Sequence, residues 1–151
     1  MPANQDHALD VIAIGRSSVD LYGQQIGSRL EDIATFSKSV GGCPANIAVG
    51  TARLGLKSGL ITGVGAEQMG RFIIEQCARE GVATQGIKID KERLTALVLL
   101  AVEDEGVSPM IFYRPDCADM AITEDDIDEV FVKSSKSVLV SGTHFSRPNT
   151  A

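Results

Sequence analysis

A polar segment directly after the first apolar run carries the first groups that could bind a ligand. It extends from Gly15 to Asp20 and has the sequence G-R-S-S-V-D. A carboxylate such as that of Asp20 has several acceptor positions and can hold two neighbouring hydroxyl groups. Considered alone, Asp20 also fits a solvated aspartate in a loop, so the segment has to be judged together with the rest of the chain.

Paired glycines precede an asparagine in the sequence G-G-C-P-A-N, from Gly41 to Asn46. Because glycine has no Cβ, the backbone at Gly41 and Gly42 can approach a ligand closely. Asn46 lies near the start of a predicted helix, where its amide can offer a donor and an acceptor to a hydroxyl group. The alternative is structural: the glycines form a turn and the Asn46 side chain caps the helix.

An arginine follows two aromatic residues in the sequence F-Y-R, which ends at Arg114. Side chains alternate along a strand, so Phe112 and Arg114 are predicted on one face and Tyr113 on the other. A planar guanidinium group can donate two parallel hydrogen bonds to a carboxylate, which makes Arg114 a candidate for binding an acidic ligand. The alternative is an arginine whose aliphatic stem covers an apolar edge while its charge stays in water.

Two glycine-rich segments approach nucleotide-binding motifs without matching them. From Gly50 to Ser58 the order G-T-A-R-L-G-L-K-S resembles a phosphate-binding loop, but Leu56 separates the second glycine from the lysine. From Gly63 to Gly70 the third glycine comes two positions too late for a dinucleotide fingerprint. Neither segment is therefore taken as a nucleotide site.

The overall composition favours a folded α/β protein that binds a small molecule. Of the 151 residues 44% are hydrophobic and the net charge is −6, so a core is available while nucleic acid and anionic membranes are disfavoured as partners. The first ten residues are polar, and no apolar run is long enough to span a bilayer. Three cysteines without a C-x-x-C pair disfavour disulfides and structural zinc, and together these features predict a cytoplasmic location.

Alternating strand and helix patterns define the predicted architecture. Apolar runs predict four buried strands: Leu9–Gly15, Lys57–Val64, Gly86–Ile89 and Ser137–Ser141. Helical periodicity predicts three helices: Ile47–Leu54, Met69–Glu80 and Thr123–Lys133. Two β-rich runs predict a hairpin that projects as a separate flap: Thr95–Glu103 and Pro109–Tyr113. Residues 23–39 have a mixed pattern that allows only short edge strands, and the alternation as a whole favours a parallel sheet flanked by helices.

The glycine and asparagine positions resemble the first signature of the ribokinase family of carbohydrate kinases, also called the phosphofructokinase-B family. Seven residues fall at the positions of that signature: Gly41, Gly42, Pro44, Asn46, Ala48, Gly55 and Gly65. The resemblance also covers Asp20 and Ser18, which stand where family members bind sugar hydroxyls. The predicted flap stands where the family carries a small β-lid over the sugar.

The resemblance implies a ribokinase-like α/β fold, a parallel sheet flanked by helices with a β-hairpin lid, of which this chain is the first half only. Residues 1–151 would form the N-terminal half of a kinase domain, with a lid insertion at about 94–115. The implied activity is ATP-dependent phosphorylation of a primary hydroxyl on an acidic keto-sugar, with ATP and Mg²⁺ as cofactors. The ligands of both cofactors would lie mostly outside this chain.

The same resemblance implies a sugar-binding site. Its members are Asp20, Gly42, Asn46, Arg114, Ser18, Arg16 and Phe112. Asp20, Gly42 and Asn46 would hold sugar hydroxyls, whereas Arg114 would pair with the substrate carboxylate and Arg16 would assist it. No catalytic residue is assigned within the chain.

The chain departs from the family pattern after Gly70, because no G-x-G-D sequence follows. In family members a motif of G-A-G-D type supplies the base for the sugar hydroxyl and a helix N-terminus for the developing phosphate charge. His144 is a possible base by residue type, but a single histidine at a strand end is more often structural. We therefore expect the chain alone to be inactive as a kinase.

Two alternatives stay open at this point. The chain could be a truncated, non-catalytic module that binds sugar or forms a homodimer through the lid, where Ala96–Ala101 is apolar on both faces. It could also resemble nucleoside kinases of the same family, which would not need Arg114.

Overall fold

Eight strands and three α-helices occupy the described part of the computed structural model, which comprises residues 7–102, 109–142 and 144. The strands are β1 (Leu9–Ile14), β2 (Ser18–Gly23), β3 (Phe36–Gly41), β4 (Ser58–Gly65), β5 (Ile87–Asp90), β6 (Leu97–Leu100), β7 (Met110–Tyr113) and β8 (Ser135–Val140). The helices are α1 (Cys43–Arg53), α2 (Gln68–Arg79) and α3 (Glu129–Lys133). Among these residues, no helix is long and apolar enough to cross a membrane.

The first sheet is parallel throughout, with strand order β5-β4-β1-β8. All eight residues of β4 are buried, as expected for a parallel strand that is covered on both faces. One face packs on α1 and α2 in a core that includes Ala48, Leu60 and Ile73. The other face packs on α3, where Phe131 lies against Ile12 and its neighbours. The predicted parallel sheet flanked by helices is therefore confirmed.

Strand β8 forms one edge of the first sheet. Its pairing with β1 runs from Leu9 beside Ser135 to Ile14 beside Val140. Within the described residues no strand pairs with its other side, and the side chains of Val138 and Val140 are 44% and 41% exposed. This part of the chain thus has an open, apolar strand edge at β8.

The second sheet has strand order β3-β2-β6-β7. Strands β6 and β7 pair antiparallel, with Val98 beside Phe112, which confirms the predicted hairpin. Strand β2 pairs antiparallel with β3 and parallel with β6. Residues 23–39 are predicted to form only short edge strands, and β3 is an edge strand, although it has six residues. Strand β2 was not predicted, because Ser18–Gly23 falls mostly in the polar segment after β1. Val19, Leu21 and Val40 stabilise both strands by packing against the core beneath α1 and α2.

The third predicted helix is shorter than expected. A 3-10 turn at Glu124–Asp126 ends at Ile127, whose φ of −96° and ψ of 110° are extended, and α3 then has only five residues. Two successive caps explain the break. The Thr123 N–H donates to Asp126 Oδ2 at 2.9 Å, and the Val130 N–H donates to Asp128 Oδ1 at 2.8 Å, so each aspartate stabilises its own short turn.

Candidate functional site

Several predicted site residues meet where the chain crosses between the two sheets. Arg16 lies in the connection from β1 to β2, and Gly42 links the end of β3 to α1. Gly42 is the N-cap of α1 with a φ of 95°, and a Cβ there would overlap the Arg16 carbonyl oxygen and lie 2.8 Å from the Cα of Ser17. Gly42 thus permits a close approach of the protein's own backbone. It brings the connection between β1 and β2 against the connection between β3 and α1.

Asp20 is held in one orientation by its neighbours. Ser18 Oγ donates a hydrogen bond of 2.8 Å to Asp20 Oδ1. The carboxylate fills the space beside Gly41, where an added Cβ would overlap both of its oxygens. Asp20 is half-buried, and its Oδ2 accepts no hydrogen bond from a described residue. That oxygen is therefore available to a ligand hydroxyl.

The most deeply buried ion pair of the described residues joins Arg16 to Asp119. Arg16 Nε donates a hydrogen bond of 2.8 Å to Asp119 Oδ2, and the two side chains are 11% and 0% exposed. Asp119 belongs to the 3-10 turn Ala118–Met120, which packs so closely on β4 that a Cβ at Gly63 would overlap the Ala118 carbonyl. Sequence reasoning missed Asp119 because no local signal marks a contact across 103 residues.

Arg114 follows β7 and reaches the same cluster. Its Cζ lies 5.8 Å from the centre of the Phe112 ring, as expected for two side chains on one face of a strand. Burial lowers the pKa of Arg114, the positive charge of Arg16 lowers it further, and the charges of Asp119 and Asp20 oppose that shift. Arg114 thus lies within electrostatic reach of all three charged groups.

Three buried polar atoms of this cluster have no hydrogen-bond partner among the described residues: Arg16 Nη2, Arg114 Nε and Asp119 Oδ1. A buried polar atom left without a partner costs about 1–3 kcal/mol, and such atoms are rare in native proteins. Two open guanidinium donors in one cluster indicate a binding site for a ligand that accepts hydrogen bonds.

Asn46 is placed on the wall of a different cavity. Gly42 is the N-cap of α1, and Asn46 lies one turn further along the helix. Its exposed side chain lines a cavity of about 300 Å³ with Lys38 and Phe72 and makes no hydrogen bond with a described residue. The structural alternative, in which Asn46 caps the helix, is wrong, and the sugar contact of Asn46 stays a prediction.

The two faces of the hairpin are divided as the strand alternation predicted. Phe112 shares a face with Asp20 and with the adjoining Arg114. Tyr113 points to the opposite face and lines a cavity of about 660 Å³ together with Leu21. The Asp20 face therefore carries the charged cluster, and the other face carries a largely apolar cavity.

His144 packs against the connection that follows β1. A Cβ at Gly15 would lie 3.3 Å from the Cβ of His144. Burial lowers the pKa of His144, the charge of Asp119 opposes the shift, and the charge of Arg16 adds to it. The imidazole is therefore neutral at pH 7, and its burial favours the structural interpretation over that of a catalytic base.

The described residues lack a metal-binding cluster, and the N-terminus of α2 is not open to a phosphate. Among residues 7–102, 109–142 and 144, no group of three or more His, Cys, Asp and Glu side chains could hold a metal ion. At the N-terminus of α2, where a phosphate could bind, the Gly70 N–H donates to Glu67 Oε2 at 3.3 Å. The Glu67 carboxylate thus takes the place of an anion, and no step is assigned to ATP or Mg²⁺ through these residues.

Comparison with known proteins shows the family. The sequence profile of the pfkB family carbohydrate kinases matches residues 8–150. The chain belongs to this family. A 5-dehydro-2-deoxygluconokinase from Geobacillus kaustophilus (strain HTA426) is 38% identical over 148 residues, which are 97% of this chain and 44% of that protein.

Solved structures share the fold. An uncharacterized sugar kinase from Pyrococcus horikoshii in complex with ATP has a TM-score of 0.80 at 35% identity, covering 86% of this chain and 42% of that one. A protein from Escherichia coli described as a ribokinase II, in complex with ATP and Mg²⁺, has a TM-score of 0.85 at 22% identity, covering 94% and 46%. This pfkB family chain therefore has a ribokinase-like α/β fold, and it spans 44% of the length of the Geobacillus relative.

Proposed function

We propose that this chain is the sugar-binding half of an ATP-dependent kinase that phosphorylates a primary hydroxyl of an acidic keto-sugar, such as 5-dehydro-2-deoxygluconate. The observation that carries the proposal is the presence of two guanidinium donors without partners among the described residues, on Arg16 and on Arg114, of which Arg114 lies within electrostatic reach of the Asp20 carboxylate. The name of the Geobacillus relative, 5-dehydro-2-deoxygluconokinase, supports a substrate of this class.

Hydroxyl groups of the sugar would bind to Asp20 and its surroundings. Asp20 Oδ2 is open to a hydroxyl donor, while Ser18 Oγ holds Oδ1 and fixes the carboxylate plane. Gly42 and Asn46 are proposed as further hydroxyl contacts at the start of α1, on the strength of the family signature.

The carboxylate of the sugar would bind to Arg114, with Arg16 as the second donor. The chain has a net charge of −6, so its long-range field disfavours an anionic substrate. A local pair of guanidinium groups, partly shielded from water, overcomes that field because charge-assisted hydrogen bonds are stronger than neutral ones. Phe112 restricts the motion of Arg114 through the contact of its ring with the guanidinium group.

ATP and Mg²⁺ are the cofactors of the proposed kinase, and ATP supplies the phosphoryl group. The related structures from Pyrococcus horikoshii and Escherichia coli contain ATP, the second together with Mg²⁺. The described residues offer neither a metal-binding group nor a free phosphate site at α2, and we propose that the ligands of both lie mostly outside this chain. We propose that the chain alone is inactive, and that the kinase acts in the cytoplasm, in inositol catabolism.

A second candidate function, a non-catalytic module that dimerises through the second sheet, is favoured by the surface of β7. This strand lies at the edge of the sheet, and its four apolar side chains are 45–54% exposed. The sequence suggested Ala96–Ala101 as the contact surface, but β6 lies inside the sheet, and Ala96, Val98 and Ala101 are buried. The surface available to a second copy is therefore proposed on β7.

The test of the main proposal is the substrate selectivity of the complete gene product. It is assayed with ATP and Mg²⁺ on 5-dehydro-2-deoxygluconate and on the neutral analogue in which an alcohol replaces the carboxylate. We expect kcat/KM to favour the acid, and a preference for the neutral sugar would overturn the proposal. The 151-residue chain, with a verified mass of 16.0 kDa, should show no turnover. If the chain forms a dimer in analytical ultracentrifugation but binds neither sugar, the non-catalytic dimerisation module would be supported instead.

A further inference from the structure

The proposed function assigns no role to Asp119, although its side chain is fully buried and accepts a hydrogen bond from Arg16. We propose that Asp119 is a positioning residue, which orients the Arg16 guanidinium so that Arg16 and Arg114 bind one carboxylate of the substrate together. This inference rests on the proposed acidic sugar, and it names the residue that makes the selectivity for that sugar possible.

The ion pair between Arg16 and Asp119 leaves part of each group unused. An arginine and a carboxylate often form two parallel hydrogen bonds. Here Arg16 Nε donates to Asp119 Oδ2 at 2.8 Å, while Arg16 Nη2 and Asp119 Oδ1 are buried without partners in the described part of the chain. The single bond fixes the guanidinium through its Nε atom and leaves Nη2 available to an acceptor of the ligand.

Arg114 has a similar donor without a partner and lies within electrostatic reach of Arg16. Its Nε is buried and has no partner among the described residues. Burial and then the positive charge of Arg16 lower the pKa of Arg114, so the two guanidinium groups repel each other. Without Asp119 this repulsion would favour conformations of Arg16 that turn away from Arg114. An anion that accepts from both arginines removes the repulsion, whereas a neutral hydroxyl group does not.

The charge balance of the cluster selects the kind of anion. Asp119 compensates one of the two positive charges, and Asp20 lies within electrostatic reach of Arg114. With both aspartates counted, the two guanidinium charges are balanced, and a cluster without excess positive charge suits a singly charged carboxylate better than a doubly charged phosphate. Ser18 already holds Asp20, so Asp20 cannot replace Asp119 as the group that orients Arg16.

Two variants of the complete gene product test the inference. Asp119→Asn keeps the size of the side chain and an acceptor oxygen but removes the charge. The double variant Arg16→Ala/Asp119→Ala removes both partners and leaves no unpaired buried charge. For both variants we expect KM for 5-dehydro-2-deoxygluconate to rise about tenfold, with kcat and the KM of the neutral analogue changed less than about twofold.

Asp90→Asn is the matched control, because Asp90 is also a buried aspartate that pairs with an arginine, Arg93, at 3.3 Å. It should leave the preference for the acid unchanged. Equal rises in KM for both sugars, or an unchanged preference in the two variants, would show that Asp119 only supports the fold. If thermal unfolding shows that Asp119→Asn does not fold, the KM values of the double variant Arg16→Ala/Asp119→Ala alone test the inference. A wild-type enzyme without a preference for the acid would instead refute the proposed function, and with it this inference.

Discussion

The carboxylate of Asp20 lies in the space where any larger residue at position 41 would place its Cβ. Ser18 fixes the same carboxylate by donating a hydrogen bond of 2.8 Å to Oδ1. Gly41 is thus needed for the orientation of Asp20, even though it carries no side chain of its own. The glycine pair of the family signature has two separate tasks here, because Gly42 instead permits the contact with the Arg16 backbone.

Gly41→Ala should displace the Asp20 carboxylate and weaken sugar binding by about tenfold or more, since Asp20 would lose its hydrogen bond with Ser18. Calorimetric titration of the complete gene product with the sugar measures this loss. Gly50→Ala is the control, because an added Cβ on that α1 glycine meets nothing within 4 Å. It should stabilise the fold by about 0.5–1 kcal/mol and leave binding unchanged. Unchanged binding in Gly41→Ala would contradict the assigned role of Gly41.

Gly42→Ala should lower the free energy of unfolding more than Gly55→Ala. Both glycines have positive φ, 95° and 90°, so both variants are strained. A Cβ at Gly55 meets open space, whereas one at Gly42 overlaps the Arg16 carbonyl. We expect losses of about 1 kcal/mol for Gly55→Ala and about 3 kcal/mol or more for Gly42→Ala, measured by urea unfolding. Similar losses would mean that φ alone explains both glycines.

Arg114→Ala should reduce kcat/KM for the acidic sugar. The loss corresponds to about 2–5 kcal/mol of transition-state binding free energy, because the substrate carboxylate is left desolvated and poorly paired. The neutral analogue should lose far less. Arg79→Ala is a suitable control, since Arg79 is exposed on α2 and pairs only weakly with Glu75 at 3.5 Å. Equal losses on the acidic and the neutral sugar would make Arg114 a general residue of the second sheet.

Stability should fall in alkaline solution through Cys77. Burial, aided by the negative charge of Glu80, raises the pKa of the Cys77 thiol from 9.0 to about 11. The unfolded chain therefore loses this proton first, and the free energy of unfolding decreases as the pH rises from about 9 to about 11. Urea unfolding across this range should show a smaller decrease for Cys77→Ala. Cys43→Ala, at an exposed cysteine, should keep the wild-type slope, and identical slopes in all three proteins would refute the assignment.

The first sheet could be predicted from the sequence because its signals are local. The runs at Leu9–Gly15 and Lys57–Val64 are predominantly apolar because helices cover both faces of the sheet, and glycines mark their ends. The second sheet was only partly predictable. Strand β2 begins four residues after β1 ends, and nothing in those residues shows that it joins a different sheet. That assignment depends on pairing with β6, which is far away in sequence.

In the candidate site, too, some residues could be predicted from local signals, whereas others depend on contacts that are distant in sequence. Asp20 and Arg114 could be selected by residue type and by resemblance, and the structure brings them within electrostatic reach of each other. Asp119 could not be selected, because its importance comes from a partner 103 residues away and from complete burial. The need for glycine at position 42 was predictable, but the group that it approaches was not.

The open edge of β8 also has a practical consequence for anyone who prepares this chain. No described strand pairs with its backbone groups on that side, and beyond Lys136 exposed valines flank them, so an extended polypeptide could add a strand there. At high concentration we expect other copies and unfolded chains to pair with this edge and to form aggregates. We expect the solubility of a preparation to depend on β8, and a strand that covers this edge would be the remedy.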